Sequence, residues 1–372
     1  MPSSAFIRRR STASESTSPL RGRDTYPHYG RTMRAVVYER TGDPEVLTLI
    51  DKPRSDPGSG EMRVRIVRSG VNPTDWKSRR GSAMAEPVTP PQTPNHDGSG
   101  VIDAVGQGVD ARWVGQRVWV WEAAYQRAEG TAQEYALVPV RRVVPLPDDA
   151  SFDLGASLGV PFLTAHRCLT ATEGGPHRLG PGTLDGRFVL VAGGAGAVGN
   201  AAIQLAHWSD ATVITTVSSP EKAQLAAAAG ADHVIDYTRQ DVESEIRKVA
   251  AGGVHTVVEV SPAQNAAIDA AVLAPLGSVA IYANNGGNEF TIPTRPLMMV
   301  NARWQFVLMY TSPARAMADA VEGVTDALLD RAIHVGRHAG LPLHHFPLED
   351  AVAAHAAVER GVVGKVLIDV AD

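Results

Sequence analysis

One glycine-rich stretch of the chain has the residue types and spacing of a phosphate-binding turn. An apolar run leads into glycines and then into an alanine-rich segment, with Gly194, Gly196 and Gly199 spaced as G-x-G-x-x-G. Gly194 would permit the tight turn, Gly196 would let backbone N–H groups approach a pyrophosphate, and Gly199 would let a helix pack close to the strand. With Ala197 and Val198, which open that helix, the glycines predict a dinucleotide-binding site.

The residues about twenty positions further on indicate which dinucleotide binds. An NAD enzyme places an acidic residue at the end of its second strand to bind the ribose 2′-hydroxyl. This chain has Ser218, Ser219 and Lys222 there, and hydroxyl and ammonium groups suit a 2′-phosphate. The sequence therefore predicts NADPH. Glu221 follows closely and could face the ribose instead, and Lys222 could be an ordinary solvated helix residue.

A polar run near the start of the chain could act on the molecule that accepts a hydride. Asn72 offers a neutral amide donor, and Lys77 could hydrogen-bond a developing enolate oxygen or supply a proton. Lys77 could also be a surface lysine, and Asp75 could orient it or simply cap a short helix. Four aromatic residues could wall an apolar pocket or belong to the core: Trp76, Tyr125, Phe162 and Tyr310.

Two kinds of pattern must position these residues. From Met33 to about Pro147 the chain shows short β-rich runs broken by Gly, Pro and Asp. After Asp153 apolar strands alternate with alanine-rich helices, which is typical of βαβ units on a parallel sheet. The predicted strands of that part are 188–192, 212–217, 233–236, 255–260, 278–283 and 304–310, and a closing strand follows at 365–370. We therefore expect an α/β fold, with a doubly wound sheet beside a mostly-β domain.

Composition narrows the classes of function. The chain has 372 residues, 44% of them hydrophobic, and a formal net charge of −5, so it lacks the basic excess of a nucleic-acid binder. No run of about twenty apolar residues predicts a membrane span. The single cysteine, Cys168, excludes an intramolecular disulfide framework and fits a reducing compartment, so we expect a cytoplasmic protein.

Residues 1–32 differ from the rest of the chain. They are rich in Arg, Ser and Thr and show no apolar periodicity, which predicts a disordered extension. An organelle-targeting peptide would have a similar composition, but Glu15 and Asp24 count against it. An inert tail or a misassigned start codon is the simpler interpretation, because Met33 opens the first strand-like run.

A collinear set of motifs resembles the zeta-crystallin-like quinone oxidoreductases, which are zinc-independent medium-chain dehydrogenases/reductases. Besides the glycine turn, the matching segments are 70–77, 97–101, 115–118, 158–165, 230–235 and 364–366. The resemblance implies a GroES-like substrate domain over 33–160 and 305–372, a Rossmann NADPH-binding domain over 161–304, and an active site in the cleft between them. It also implies a homo-oligomer, most simply a dimer.

The resemblance further implies roles for single residues. Ser218, Ser219, Lys222 and Tyr237 would surround the 2′-phosphate. Asn72 and Thr164 would lie near the nicotinamide, and the backbone at Ala283 and Asn284 would flank its ribose. Lys365 and Arg360 are further candidates for cofactor contact.

Zinc alcohol dehydrogenases share this architecture, so the metal question depends on ligands. His96 and Asp97 stand where those enzymes carry a His-Glu pair, but Asn72 occupies the position of their first cysteine ligand. A catalytic zinc needs three protein ligands, and one histidine beside one carboxylate falls short. We therefore predict no metal, with His96 as a hydrogen-bonded residue that lines the cleft.

Without zinc as a Lewis acid, the favoured reaction is hydride transfer to a quinone or an α,β-unsaturated carbonyl, whose negative charge delocalises onto one oxygen. Many relatives carry two tyrosines where this chain has Lys77 and Ala83, which gives weight to enones. Two alternatives stay open. An enoyl-thioester reductase would need a basic entrance, for which Arg79, Arg80, Arg141 and Arg142 are available. The second alternative is a non-catalytic NADPH-binding protein, which would need no such entrance.

Overall fold

The structure, a computed structural model, describes residues 32–82 and 85–371. Within these ranges the chain forms sixteen strands and nine helices. The extension predicted over residues 1–32 lies outside the described residues, apart from Thr32, which begins the first strand. Ala83 also lies outside them.

The strands are β1 (Thr32–Arg40), β2 (Thr48–Pro53), β3 (Glu61–Val71), β4 (Pro87–Gln92), β5 (Asp97–Val105), β6 (Arg117–Val120), β7 (Tyr135–Pro139), β8 (Val143–Pro145), β9 (Phe188–Ala192), β10 (Thr212–Val217), β11 (His233–Asp236), β12 (Val254–Glu259), β13 (Leu273–Ile281), β14 (Arg303–Phe306), β15 (Leu343–Pro347) and β16 (Lys365–Asp369). The helices are α1 (Pro73–Arg80), α2 (Phe152–Leu169), α3 (Ala197–Trp208), α4 (Pro220–Ala228), α5 (Val242–Val249), α6 (Pro262–Val272), α7 (Thr294–Met299), α8 (Ala314–Leu329) and α9 (Ala351–Glu359).

A six-stranded parallel sheet forms the second half of the fold. Its order is β11-β10-β9-β12-β13-β14, which is the 3-2-1-4-5-6 order of a doubly wound Rossmann sheet. Its central strands are apolar because helices cover both faces, and Val189, Val191 and Val257 are fully buried. The strand order reverses between β9 and β12, so the carboxyl ends of these two strands open a crevice. The predicted α/β fold class is confirmed.

The last strand of this sheet is shorter than the predicted strand over 304–310. β14 pairs with β13 from Arg303 to Phe306, and the Val307 N–H still donates to the Ile281 carbonyl. β13 ends at Ile281, so the chain beyond Val307 has no strand to pair with. It turns through a short 3-10 helix that contains Tyr310.

Both ends of the chain build the second, mostly antiparallel sheet. Its order is β15-β16-β3-β5-β6-β8, with β7 also paired to β3, and a small sheet of order β2-β1-β4 lies beside it. β16 pairs antiparallel with β3, which brings Val366 opposite Val71. The C-terminus therefore completes the sheet that the N-terminal half begins, and this pairing places Lys365 close to Asn72.

Helix α2 joins the two sheets. Gly159 allows this helix to approach β5, since a Cβ atom there would lie 2.0 Å from the Asp97 Oδ1 atom. The domain boundary predicted between residues 160 and 161 falls inside α2, and the one predicted between 304 and 305 falls inside β14. The domain limits themselves stay a prediction. Among the described residues, no helix is both long and apolar enough to cross a membrane.

Candidate active site

The glycine turn connects β9 to α3 at the crevice of the parallel sheet. Its left-handed residue is Gly193, with φ of 71°, and Gly194 lies inside the tight turn that the Gly196 N–H closes by donating to the Gly193 carbonyl. Gly194 does not have a positive φ. Gly194 instead packs against β10, because a Cβ atom there would lie 2.2 Å from the Thr215 Oγ1 atom. Gly199 brings α3 against the turn, and a Cβ atom there would lie 2.4 Å from the Gly193 carbonyl oxygen.

The first residues of α3 suit a pyrophosphate. Gly196 precedes the helix and has no side chain to cap it, so the N–H groups of Ala197 and Val198 have no partner within the helix. A Cβ atom at Gly196 would have the Gly193 carbonyl oxygen as its nearest neighbour, at 3.4 Å, so nothing fills the space in front of the turn. These donors and this space fit a dinucleotide pyrophosphate.

The residues predicted to hold a 2′-phosphate lie together where β10 and β11 end. The Lys222 Nζ donates to the Ser218 Oγ at 2.8 Å, and the Ser219 Oγ caps α4 by accepting from the Lys222 N–H at 3.3 Å. Tyr237 is 54% exposed next to them, and its N–H donates to the Val217 carbonyl. The Lys222 ammonium and the Ser218 and Ser219 hydroxyl groups therefore lie together at one corner, next to the exposed Tyr237.

Glu221 takes no part in this corner. Its Oε1 atom lies 3.7 Å from a guanidinium nitrogen of Arg337, and both side chains are exposed. The carboxylate that could have faced the ribose is therefore partnered elsewhere. This leaves the hydroxyl and ammonium groups to meet the cofactor.

A buried polar network surrounds Asn72 at the other side of the cleft. The Asn72 Nδ2 donates to the Asp97 Oδ2 at 2.7 Å, and the Lys365 Nζ donates to the Asn72 Oδ1 at 2.7 Å. Lysine only donates and a carboxylate only accepts, so the two contacts fix which way the amide points. The Asp97 carboxylate also accepts from the Val160 N–H at 2.9 Å, and its Oδ2 atom lies 3.5 Å from the Lys365 Nζ.

Asp75 caps helix α1 from inside the protein. Its Oδ2 atom accepts from the Asn72 N–H at 2.7 Å and its Oδ1 atom from the His96 N–H at 3.1 Å, so it acts as the predicted cap and does not orient Lys77. Burial, reinforced by the nearby Asp97 carboxylate, raises the pKa of Asp75 to about 8. Burial raises the pKa of Asp97 and lowers that of Lys365, and their mutual attraction opposes both shifts.

The remaining predicted residues divide into three groups. Thr164 is buried on α2, and Lys365 is 1% exposed, so Lys365 lies behind Asn72 rather than on an open cofactor surface. Ala283 and Asn284 follow β13 and line a cavity of about 400 Å³. Lys77 is exposed on α1, with its ammonium 5.8 Å from the centre of the Trp76 ring, outside the buried network.

A second cavity, of about 180 Å³, opens beside α1 and is called the aromatic cavity below. Its lining includes Thr74, Asp75, His96, Tyr125 and Tyr310. The Tyr125 and Tyr310 rings stack with centroids 4.9 Å apart, and the Tyr310 ring lies 4.9 Å from the His96 ring. Of the four aromatic residues that could have lined a pocket, Tyr125 and Tyr310 line this cavity. A third, Phe162, is fully buried in the core.

Two family profiles match the chain. Residues 197–325 match the family described as zinc-binding dehydrogenase, and residues 58–148 match the alcohol dehydrogenase GroES-like domain. The second match covers β3 to β8 and so the N-terminal part of the sheet that both chain ends build. It confirms the GroES-like part of the predicted fold class.

Individual relatives cover nearly the whole chain. The quinone oxidoreductase of Lama guanicoe is 29% identical over 343 residues, which make up 91% of this chain and 98% of that protein. A mycobacterial quinone oxidoreductase structure is 30% identical with a TM-score of 0.75, and the match covers 90% of this chain and 99% of that one. A mycobacterial structure in complex with NADPH is also 30% identical, with a TM-score of 0.74 and the same coverage. The chain belongs to the zeta-crystallin-like quinone oxidoreductases.

Membership in this family confirms the prediction of an oxidoreductase. Family membership does not show whether a metal is bound, because one matching profile is described as zinc-binding. Metal binding must therefore be judged from the residues themselves. Among the residues that the structure describes, no three His, Cys, Asp or Glu side chains are placed to hold a metal ion together. The His96 Nε2 atom lies 3.8 Å from the Asp75 Oδ1, and among the described residues its Nδ1 atom has no hydrogen-bond partner, so the hydrogen-bonded side chain that we predicted is not seen.

Sequence reasoning missed the part that Asp97 plays in this quinone oxidoreductase. We considered Asp97 only as half of a possible metal pair, whereas it holds the Asn72 amide and the Val160 N–H in the middle of α2. The signal was available in part. Gly159 and Asp97 both lie in matched segments, but only the fold shows that the glycine makes room for that carboxylate.

Proposed function

We propose that this quinone oxidoreductase transfers a hydride from NADPH to a quinone or an α,β-unsaturated carbonyl compound, and does so without zinc. The observation that carries the proposal is the Asn72 amide held between the Asp97 carboxylate and the Lys365 ammonium. A buried ammonium 2.7 Å from the Asn72 oxygen would repel a divalent cation at this place. A neutral amide donor suits an acceptor that needs only hydrogen bonds to stabilise its oxygen.

NADPH is the cofactor that the residues fit. A relative that is 30% identical has been solved in complex with NADPH. In this chain the Lys222–Ser218 pair, the Ser219 hydroxyl and the exposed Tyr237 offer the groups that a 2′-phosphate needs. When bound, NADPH supplies the hydride.

The side chains around the acceptor orient it and stabilise its charge. One N–H of the Asn72 amide is engaged by Asp97, and the second can donate to the acceptor oxygen as negative charge develops there. Asn72 is 2% exposed, so this donor acts in a site that excludes most water. A hydrogen bond of this kind is stronger there than at the surface.

We keep Lys77 as a proposed second catalytic residue for enones. Its exposed position on α1 would let it reach an acceptor oxygen only at the mouth of the cleft. The Lys77→Met variant tests this role. If Lys77 acts on the acceptor, kcat with an enone falls at least about tenfold, whereas a surface lysine would leave kcat unchanged.

The enoyl-thioester alternative loses its support because three of its four arginines have other partners. Arg79 donates to the Gly42 carbonyl and to Glu359, and Arg80 also pairs with Glu359. Arg142 is buried and donates to the Glu122 carbonyl. Arg80 and Arg141 are both exposed, and of these two Arg80 is paired with Glu359.

We also propose a cytoplasmic homodimer. β14 is an edge strand of the parallel sheet, and its Phe306 is 64% exposed, while Met298 and Met299 on α7 are 69% and 73% exposed. An open edge strand beside apolar side chains favours pairing with a second copy. Light scattering after size-exclusion chromatography tests this, with a mass of twice 39.4 kDa expected. A monomer mass would contradict it.

The proposed reaction is tested by following NADPH oxidation at its near-ultraviolet absorbance. Quinones, a short enone and crotonyl-CoA are offered side by side, each with NADPH or NADH and with or without a chelator. We expect chelator-resistant turnover of a quinone or enone that prefers NADPH. Turnover of crotonyl-CoA alone would favour the thioester alternative. NADPH binding without turnover of any acceptor would favour a non-catalytic protein.

A further inference from the structure

Three side chains that line the aromatic cavity carry a buried polar atom without a hydrogen-bond partner. These atoms are the Thr93 Oγ1, the His96 Nδ1 and the Tyr310 hydroxyl. Thr74 lies near the Tyr310 hydroxyl, but the two do not meet hydrogen-bond geometry. Buried polar groups in folded proteins are nearly always paired with protein, water or a ligand. Three unpaired atoms from separate segments around one cavity therefore indicate an occupant that carries oxygen atoms.

The shape of the cavity favours a flat ring. Tyr125 and Tyr310 stack at 23° between their planes, and the His96 ring continues that wall at 42° to Tyr310. Planar conjugated molecules pack well on such a surface. The volume is about 180 Å³, and a protein cavity of roughly 150 Å³ holds a benzene molecule. The space therefore accommodates one ring or a short conjugated chain.

The charge of the wall favours a neutral molecule. Burial lowers the pKa of His96 to about 3, so its ring is uncharged at neutral pH. Burial raises the pKa of Tyr310 well above its usual value, so its hydroxyl keeps its proton and can donate. The lining contains no Lys or Arg side chain to attract an anion, and it includes the Asp75 carboxyl group. An acceptor with carbonyl oxygens and no net charge matches these groups.

Resting on the proposed function, we propose that the aromatic cavity binds the acceptor as a single-ring quinone or a short enone, and that the Tyr310 hydroxyl donates a hydrogen bond to its carbonyl oxygen. Thr93 supplies a second hydroxyl on the opposite segment of the lining. In the reaction the acceptor gains a hydride from NADPH and one proton from water, and NADPH becomes NADP⁺. Tyr310 keeps its proton, so it stabilises the reduced oxygen without being consumed.

Two matched tyrosine variants test this role. Tyr310→Phe removes the unpaired hydroxyl, whereas Tyr135→Phe removes the hydroxyl of a half-buried tyrosine on β7, outside the lining of the aromatic cavity. We expect kcat/KM for 1,4-benzoquinone to fall about tenfold in Tyr310→Phe and less than about twofold in Tyr135→Phe. The KM for NADPH should stay unchanged in both. Thr93→Val, which removes the other unpaired hydroxyl, should lower kcat/KM in the same direction.

The size of the acceptor provides a second readout on the unaltered protein. We expect kcat/KM for 1,4-benzoquinone to exceed that for the three-ring 9,10-phenanthrenequinone. Thermal unfolding and NADPH affinity establish that each variant is folded. If Tyr310→Phe does not fold, the kcat/KM of Thr93→Val alone tests the inference, since Thr93→Val removes one buried hydroxyl on another segment.

The outcomes separate this inference from the proposed function. If the unaltered protein reduces quinones but Tyr310→Phe and Thr93→Val both keep its kcat/KM, water satisfies the unpaired atoms and the inference is overturned, while the proposed function stands. A clear preference for the three-ring quinone would also overturn the inference. If the unaltered protein reduces neither quinones nor enones, the proposed function fails first.

Discussion

The two ends of the cleft are built in different ways. At the cofactor end, the turn over 193–199 and the Ser218–Lys222 pair present backbone N–H groups and half-exposed side chains that are all close in sequence. At the acceptor end, Asn72, Asp97 and Lys365 are buried together although Asn72 and Lys365 are separated by 293 positions. The half-exposed side chains of the first end can be changed with little cost to folding. The second end couples the proposed catalytic amide of Asn72 to the stability of the whole chain.

The same substitution should therefore change stability far more at the second end than at the first. Lys365→Met leaves the buried Asp97 carboxylate and the Asn72 oxygen without their cation, and we expect the free energy of unfolding to fall by about 4 kcal/mol. Lys222→Met at the exposed corner should change it by less than about 0.5 kcal/mol. Urea unfolding of both variants measures this. Equal stabilities would remove the distinction between the two ends.

Substitutions at two glycines of the cofactor end should affect folding and cofactor binding separately. Gly199→Ala places a Cβ atom 2.4 Å from the Gly193 carbonyl oxygen, and we expect it to cost about 3 kcal/mol of stability. Gly196→Ala meets nothing nearer than 3.4 Å, so the free protein should keep its stability while NADPH affinity falls about tenfold. Urea unfolding and NADPH titration measure the two effects. Loss of stability in Gly196→Ala would contradict the space assigned to the pyrophosphate.

A fall in pH should lower the stability of the protein through its buried histidines and not through the cofactor end. Burial lowers the pKa of His96, His166 and His355 to about 3, below the unfolded value of 6.5. The unfolded chain therefore binds more protons below pH 6.5, so the stability from each histidine is full above that pH and is lost as the pH falls towards 3. Between pH 7 and pH 5 each should lose about 2 kcal/mol.

His355→Gln tests this pH dependence. The glutamine amide can still donate to the Asn95 Oδ1, which lies 3.0 Å from the His355 Nε2, but it does not titrate. Relative to the unaltered protein, the variant should lose about 2 kcal/mol less stability between pH 7 and pH 5. Urea midpoints at the two pH values give the comparison. Parallel losses in both proteins would show that His355 is not kept neutral by burial.

The smallest effect concerns the choice of cofactor. Lys222→Met removes the ammonium from the Ser218 corner, and we expect the KM for NADPH to rise about tenfold while that for NADH changes less than twofold. Lys248→Met is the matched control. Lys248 is an exposed lysine on α5, and its Nζ lies 2.7 Å from Glu245 on the same helix. A similar rise for both cofactors would mean that Lys222 does not face the 2′-phosphate.

The cofactor end could be predicted because its signals are local. The predicted strands 188–192, 212–217 and 233–236 coincide with β9, β10 and β11, since each is a short apolar run bounded by Gly or Asp. The turn, the capping Ser219 and the start of α4 at Pro220 follow from neighbouring residues. The fold adds which glycine of the turn is left-handed, namely Gly193.

The acceptor end could be predicted only in outline. The sequence predicted that Asn72 matters, but no periodicity links it to Lys365 on the last strand, and that contact depends on the pairing of β16 with β3. The strand predicted over 304–310 was too long, because its length is set by where β13 ends. The turn that results brings Tyr310 onto His96, which no local pattern could show.

The central claim is hydride transfer from NADPH to a quinone-type acceptor without a metal. The most direct test is single-turnover oxidation of NADPH labelled with deuterium at nicotinamide C4, by zinc-depleted protein mixed with 1,4-benzoquinone. We predict full oxidation, slowed by the label at one of the two C4 positions only. No oxidation until zinc is restored, or oxidation at a rate that neither label changes, would contradict the account.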